Sequence, residues 1–430
     1  MKRLVVCYDG TWKSAEDDRI SNVEKIARAI KPRDAGGVSQ IVHYVTGVGT
    51  GETLTDRVTG GAMGTGLEDG LISGYRFLAL NYEPGDQVYL FGFSRGAYSA
   101  RSLAGMIAFN GLLTMDGMLS RTNYLRKALK VYKNRPCYPA DAVDHDTEEF
   151  RQMTYFGQAR PKITFLGVFD TVGSLGVPGK GGKGYEFHNV KLSPQVLRAR
   201  QALAIDEPRL KFTPLVWDAE GANDVKQVWF DGDHTDIGGG HDDEMLSDET
   251  LRWMVEESRS KEIDGGGLDY LFRTAAVPDD SRSRPFNPLN GFYRADNLFT
   301  RATRWMRKST TPVRTDGQRR ILAKSADDAT NNRIFISKLA YENWLEDNDD
   351  RKKRAPNIGA WRDAGAHMER IPDSIEFDIK SHVESMGAGT GRNVSTVVRG
   401  VKASGPRTPM GHGAHDPINR ETPRPSSREQ

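Results

Sequence analysis

The stretch Gln87 to Phe93 runs through apolar and aromatic residues into Gly92-Phe93-Ser94-Arg95-Gly96, and helical spacing follows from Ala97 to Ile107. A strand that passes directly into a helix through G-x-S-x-G sets its serine on a sharp backbone bend, with the hydroxyl held out at the end of a sheet. The flanking glycines keep side chains from clashing where the chain doubles back. The helix start behind the serine presents unsatisfied amides and a positive dipole end to developing negative charge. Few folds accept such a junction, so it points first to an α/β arrangement with chemistry at Ser94. The plainer account is a serine capping a helix in a glycine-rich turn.

The rest of the first 260 residues agrees with an α/β arrangement. Leu4 to Tyr8, Ile41 to Val45, Ile163 to Phe169 and Val225 to Phe230 read as short buried strands. Helical spacing is found at Ser21 to Ile30, Leu67 to Tyr82, Met118 to Tyr132, Pro194 to Ile205 and Ser247 to Glu257, the last with Ser247 as cap. Gly47 to Gly66 reads as a long loop, and Asn134 to Arg160 has weak patterning. Alternating strands and helices predict a mostly parallel sheet flanked by helices on both faces. Residues 1–260 are therefore expected to form the catalytic core. Residues 261–400 are expected to be an inserted or appended region packing on it, irregular from Gly265 to Asp328 and helical over Asn331 to Asn348. The tail, 403–430, carries Pro406, Pro409, Pro417, Pro423 and Pro425 with little apolar material and is expected to be disordered.

Composition narrows the function classes. The chain has 430 residues, 37% of them hydrophobic, which supplies a sizeable core. The two cysteines, Cys7 and Cys137, build neither a disulfide framework nor a Cys-rich zinc site. A formal net charge of +2 gives no reason to expect a nucleic-acid partner. No apolar run is long enough to span a membrane, and the apolar stretch after Met1-Lys2-Arg3 is too short for a secretory signal. The expected location is cytoplasmic, with export open only to a machine that needs no signal peptide.

A nucleophilic serine needs a base, and the base needs an orienting acid. In an open parallel sheet these belong just past the carboxyl ends of later strands. Asp170 follows the strand Ile163 to Phe169, and His234 follows Val225 to Phe230. His241 is the rival base and Asp236 the rival acid, two residues from His234. The chain order serine, aspartate, histidine is that of α/β-hydrolases. The oxyanion would take one donor from the Arg95 amide and a second from Gly10 or Thr11, in the turn after the first strand. Asp9 would brace that turn by accepting hydrogen bonds.

Cys7-Tyr8-Asp9-Gly10-Thr11-Trp12, Ser21-Asn22-Val23, Gly47-Val48-Gly49-Thr50-Gly51, the Ser94 elbow, Phe169-Asp170-Thr171-Val172-Gly173 and His234-Thr235-Asp236-Ile237-Gly238-Gly239 occur in this order. As a set they resemble the α/β-hydrolase-like family that supplies the catalytic domain of the first class of type VI secretion lipase effectors. The resemblance covers roughly residues 1 to 260, with weaker similarity near Ile336 to Ile358. It implies an α/β-hydrolase fold, phospholipase activity, and a triad carried over as Ser94, Asp170 and His234. It also implies a secretion-machine or immunity-protein partner for an effector. The sequence has His234-Thr235-Asp236 where the family often has His-Ser-Asp.

Other signals are weaker. Asp9-Gly10-Thr11 is similar to the phosphatase signature D-x-D-G-T, but Cys7 stands where its nucleophilic aspartate belongs. Asp231, Asp233, Asp236, His241, Asp242 and Asp243 crowd one loop without the spacing of a calcium site, so no metal is assigned. Gly176 to Gly184 lacks a Walker pattern, and no cofactor is expected. Leu298 to Lys324 interleaves basic and aromatic residues, suiting peripheral contact with an anionic lipid surface or a solvated basic face. The expected function is a serine hydrolase cleaving carboxylic esters, most specifically phospholipid acyl esters, with a lipid or small ester as substrate. The alternative is a hydrolase fold retained as a binding or regulatory module without turnover.

Overall fold

A computed structural model gives the architecture. It describes residues 1–10, 19–47, 60–120, 122–135, 143–157, 160–172, 191–271, 273–274, 320, 322, 326–346, 358, 367–369 and 375–376. Thr11, the loop Gly176 to Gly184, most of the basic stretch and the tail 403–430 lie outside these residues.

The strands are β1 (Arg3–Tyr8), β2 (Gln40–Val45), β3 (Gln87–Phe93), β4 (Ile163–Phe169), β5 (Arg198–Ala204), β6 (Asp224–Phe230), β7 (Arg273–Thr274), β8 (Ile334–Ser337), β9 (His367–Glu369) and β10 (Ile375–Glu376). Eight of them form one sheet in the order β2-β1-β3-β4-β5-β6-β8-β9, and every neighbouring pair is parallel. β7 and β10 form a separate antiparallel pair. The helices are α1 (Asn22–Ala29), α2 (Gly60–Asn81), α3 (Arg95–Asn110), α4 (Met115–Leu119), α5 (Tyr124–Lys133), α6 (His145–Gln152), α7 (His234–Gly238), α8 (Met245–Arg259), α9 (Ala326–Asn331) and α10 (Lys338–Glu346). This is an α/β-hydrolase-like arrangement. No helix among the described residues is long and apolar enough to cross a membrane.

β1, β3 and β4 are almost wholly apolar and buried because helices cover both faces. The period of two sends Leu4, Val6, Val88, Leu90, Leu166 and Val168 into one core with Leu71, Tyr75 and Leu78 of α2 and Leu103 and Ile107 of α3. Val5, Cys7, Tyr89, Phe91, Phe165 and Phe169 point the other way, onto Val23 and Ile26 of α1 and Trp253 and Met254 of α8. Each such Val, Leu or Phe contributes about 1.5–3 kcal/mol when fully buried. From β1 the chain steps outward to β2, then returns across β1 to β3. The carboxyl ends of β1 and β3 therefore flank the crevice where the direction of winding reverses, the place where such sheets bind ligands.

Several elements differ from the sequence reading. Met118 to Tyr132, read as one helix, is divided between α4 and α5; α2 begins at Gly60, inside the stretch read as a loop; and α8 begins at Met245, so Ser247 lies within it rather than capping it. Pro194 to Ile205, read as helical, contains the strand β5. Its Ala, Arg, Gln and Leu favour a helix locally, but pairing with β4 on one side and β6 on the other overrides that weak preference. The small Ala199, Ala202 and Ala204 fit a fully covered position, and Arg200 is tolerated there because Glu257 and Asp224 pair with it at 2.5 and 2.9 Å. Asn331 to Asn348, read as one helix, is split: Ile334–Ser337 joins β6 as a strand before α10 begins. A third core cluster, with Leu203, Trp229, Ile334, Ile336 and Trp344, seals that end of the sheet.

Candidate active site

Ser94 occupies the junction of β3 and α3 with φ 57° and ψ −119°, a backbone region that costs a non-glycine residue roughly 1–3 kcal/mol. Its amide donates to the Phe169 carbonyl at 3.0 Å, tying the bend to the end of β4. The flanking glycines are required by contact. A Cβ on Gly92 would lie 2.6 Å from Ala97 Cα, and one on Gly96 would lie 2.3 Å from the Tyr8 carbonyl oxygen. Glycine at 96 thus lets α3 start directly against the end of β1. The Arg95 amide is the first of α3, and a helix has no internal acceptor for its leading amides.

Asp170, just past β4, is fully buried and also has positive φ, 38°. Its Oδ1 accepts from the Ala204 amide at 3.1 Å and from Arg320 Nη1 at 2.6 Å. Its Oδ2 accepts from Arg320 Nη2 at 2.9 Å and lies 2.6 Å from His234 Nδ1. Burial opposes ionisation of this carboxyl. The Arg320 charge and the His234 hydrogen bond outweigh it and hold the group well below the usual carboxylate range.

His234 opens α7, whose N-terminus is closed by a capping box: Asp233 accepts from the Thr235 and Asp236 amides, and Asp236 accepts from the Asp233 amide. The His234 amide donates to Glu207 at 3.1 Å, and Arg209 pairs with Glu207 at 2.7 Å. The imidazole lies against Phe93 and Phe212, with ring centroids 4.8 and 4.9 Å away. Phe93 immediately precedes Ser94, so the ring sits beside the bend. With Asp170 ionised, Nδ1 carries the proton and donates, which leaves Nε2 as the basic nitrogen. Among the described residues, Ser94 Oγ makes no hydrogen bond.

The structure thus brings Asp170, rather than Asp236, onto His234. Asp236 serves the cap, with His241 Nε2 3.8 Å from it and 3.1 Å from Asp233. These three residues bring ligand atoms within 4.8 Å of one another, the nearest approach to a metal set among the described residues. Two of them are already the capping acids of α7.

The turn after β1 differs in one respect from the oxyanion expectation. The Gly10 amide donates to Asp9 Oδ1 at 2.6 Å and is committed there. Asp9 is buried and also takes the Ser21 hydroxyl at 2.7 Å and the Tyr44 hydroxyl at 2.5 Å. A buried carboxyl gathers every donor within reach, and burial still raises its pKa. Asp9 braces the turn, as expected of it.

Arg320, Glu207 and Phe212 were not singled out in the sequence. Arg320 is one of many arginines in a basic stretch, and no spacing marks it as the one that turns inward. Glu207 carries a faint signal, the Arg209 two residues on, which makes a charge at a strand end affordable.

The family described as the T6SS phospholipase effector Tle1-like catalytic domain matches residues 2–257. The uncharacterized protein YEL023C of Saccharomyces cerevisiae is 30% identical over 234 residues, 50% of this chain and 32% of that protein. The chain therefore spans about a third of the length of this curated relative. Two solved structures are also similar. One is the Tle1 effector bound to the VgrG spike of the type VI secretion system, at 19% identity and TM-score 0.34, covering 56% of this chain and 51% of that one. The other is an uncharacterized protein from Pseudomonas aeruginosa, at 17% identity and TM-score 0.34, covering 72% and 51%.

Proposed function

Because this chain belongs to the family of the T6SS phospholipase effector Tle1-like catalytic domain, we propose that it is a serine hydrolase cleaving carboxylic esters, with phospholipid acyl esters as its substrate class. The observation that carries the proposal is the 2.6 Å contact between Asp170 Oδ2 and His234 Nδ1 beside the Ser94 bend. An acid on Nδ1 fixes the tautomer that a serine needs in its base.

In the proposed reaction Ser94 Oγ attacks the ester carbonyl as His234 Nε2 takes its proton. Asp170 stabilises the imidazolium that forms. The tetrahedral oxyanion is held by the Arg95 amide and by a second amide, from Gly10 or Thr11, the Gly10 amide donating to Asp9 in the structure. The proton then passes to the departing alcohol, leaving an acyl-serine. Water, deprotonated by the same imidazole, releases the acid and restores Ser94. No cofactor or metal enters these steps.

The same proposal carries a cytoplasmic site of synthesis and, if the protein is an effector, a secretion spike or an immunity protein as partner. The lipid substrate would be met at a membrane surface. Among the described residues the Ser94 hydroxyl has no hydrogen-bond partner, and this favours one other reading, a hydrolase fold that binds without turning over. A fluorophosphonate probe and a short-chain acyl ester separate the two. A working enzyme labels at Ser94 and hydrolyses the ester, and Ser94→Ala loses both while staying folded. Hydrolysis that persists in Ser94→Ala removes Ser94 as nucleophile, and wild-type protein that neither labels nor hydrolyses leaves the binding module.

A further inference from the structure

Arg320 behaves unlike a surface basic residue. Its side chain is 1% exposed, and its guanidinium forks over both oxygens of Asp170, at 2.6 and 2.9 Å. The same two nitrogens donate to the carbonyls of Ala204 at 3.0 Å and Phe212 at 2.5 Å. A buried guanidinium is costly unless its charge is paired and its hydrogens are bonded. Here the paired carboxylate is the one that grips His234 Nδ1, and the carbonyl partners lie at the end of β5 and in the segment that places Phe212 against the imidazole. A planar fork fixes the plane of a carboxylate as well as its position, which a point charge does not. With two donors on each oxygen, Asp170 cannot turn about its terminal bond without losing several hydrogen bonds at once.

We propose that Arg320 is a positioning residue for the Ser94 reaction: it locks the plane of the Asp170 carboxylate, and through it the His234 imidazole, so that Nε2 stays available to the serine. Its kinetic consequence rests on the hydrolase reading, whereas the locking of the imidazole does not. Arg320 lies outside residues 2–257, the span matched by the catalytic-domain family. This chain therefore closes its site with a residue from its later part.

The test uses the full chain and the variants Arg320→Ala and Arg320→Lys, the second retaining a cation but no fork. One readout is the low-field proton resonance of the hydrogen-bonded His234 Nδ1–H. The other is the division between kcat and KM for a short acyl ester. Both variants are expected to lose or broaden the resonance, and kcat is expected to fall at least about ten-fold with KM within about two-fold. A variant that folds and keeps the resonance unchanged overturns the proposal, as does one with kcat within two-fold of wild type, or one in which only KM moves. If the alanine variant does not fold, the lysine variant decides by the same readouts. Wild-type protein that shows the resonance but no fluorophosphonate label at Ser94 removes the hydrolase reading, and the resonance in the variants then decides the locking alone.

Discussion

Asp170 Oδ2 and His234 Nδ1 are 2.6 Å apart across 64 positions of chain. The two residues follow strands that are not neighbours, Asp170 directly after β4 and His234 at the start of α7 beyond β6: β5 runs between β4 and β6, and its Ala204 amide holds the other oxygen of Asp170 at 3.1 Å. The carboxylate thus reaches over the end of an intervening strand to the imidazole, and its burial makes the contact strong and its loss costly.

Asp170→Asn preserves shape and removes charge. The amide no longer selects the Nδ1–H tautomer, and kcat for an acyl ester is expected to fall by about 10³–10⁴. Arg320 is left buried without its counter-charge, so stability should fall by about 3–5 kcal/mol. Steady-state kinetics and urea denaturation check the two effects. A variant with near-normal kcat would return Asp236 to consideration as the acid.

Ser94→Gly should make the protein more stable and inactive. Glycine adopts φ 57° and ψ −119° without the strain that serine carries there, and the expected gain is about 1 kcal/mol. Ser94→Ala keeps the strain and should stay within about 0.5 kcal/mol of wild type. Equal midpoints for the glycine and alanine variants in chemical denaturation would show that the bend is unstrained.

Gly96→Ala tests the seat of α3 on β1. The added carbon would meet the Tyr8 and Asp9 carbonyl oxygens at 2.3 and 2.4 Å, both backbone atoms that can move only with β1. A loss of about 2 kcal/mol or more is expected, with slower labelling of Ser94 by a fluorophosphonate. Gly157→Ala, where an added carbon meets nothing within 4 Å, serves as the unaffected control in the same thermal melts.

Glu249 predicts a pH dependence of stability. Its carboxyl in α8 is fully buried, accepts the Ser337 hydroxyl at 2.7 Å, and is pushed by burial from 4.5 up to about 7. An acid whose pKa is raised on folding favours the folded state while protonated. That contribution is fully present below pH 4.5 and is gone once the pH has risen through about 7. The loss is on the order of 3 kcal/mol. Glu249→Gln should flatten this part of the stability curve between pH 4.5 and 7. An unchanged slope in that variant would assign the dependence to other groups.

The strands β1, β3 and β4 were legible in the sequence because a strand covered on both faces is apolar along nearly all its length, and Leu4 to Tyr8 or Ile163 to Phe169 suit little else; β6 was legible from Val225 and the run Val228-Trp229-Phe230, despite Lys226 and Gln227 between them. The bend at Ser94 was legible for a local reason: glycine at 92 and 96 is the signature of backbone approaching backbone. Asp170 and His234 could be nominated because each follows such a strand. The sequence could not choose between Asp170 and Asp236, because both choices satisfy the local pattern and only the packing of β5 between β4 and β6 brings one of them to the imidazole. The same holds for β5 itself, whose Ala, Arg and Gln prefer a helix until two neighbouring strands pair with them. Arg320 is the extreme case, 150 positions from Asp170. Local chemistry is written in residue order, whereas a buried charge finds its partner through long-range packing, and that was decided by the tertiary structure alone.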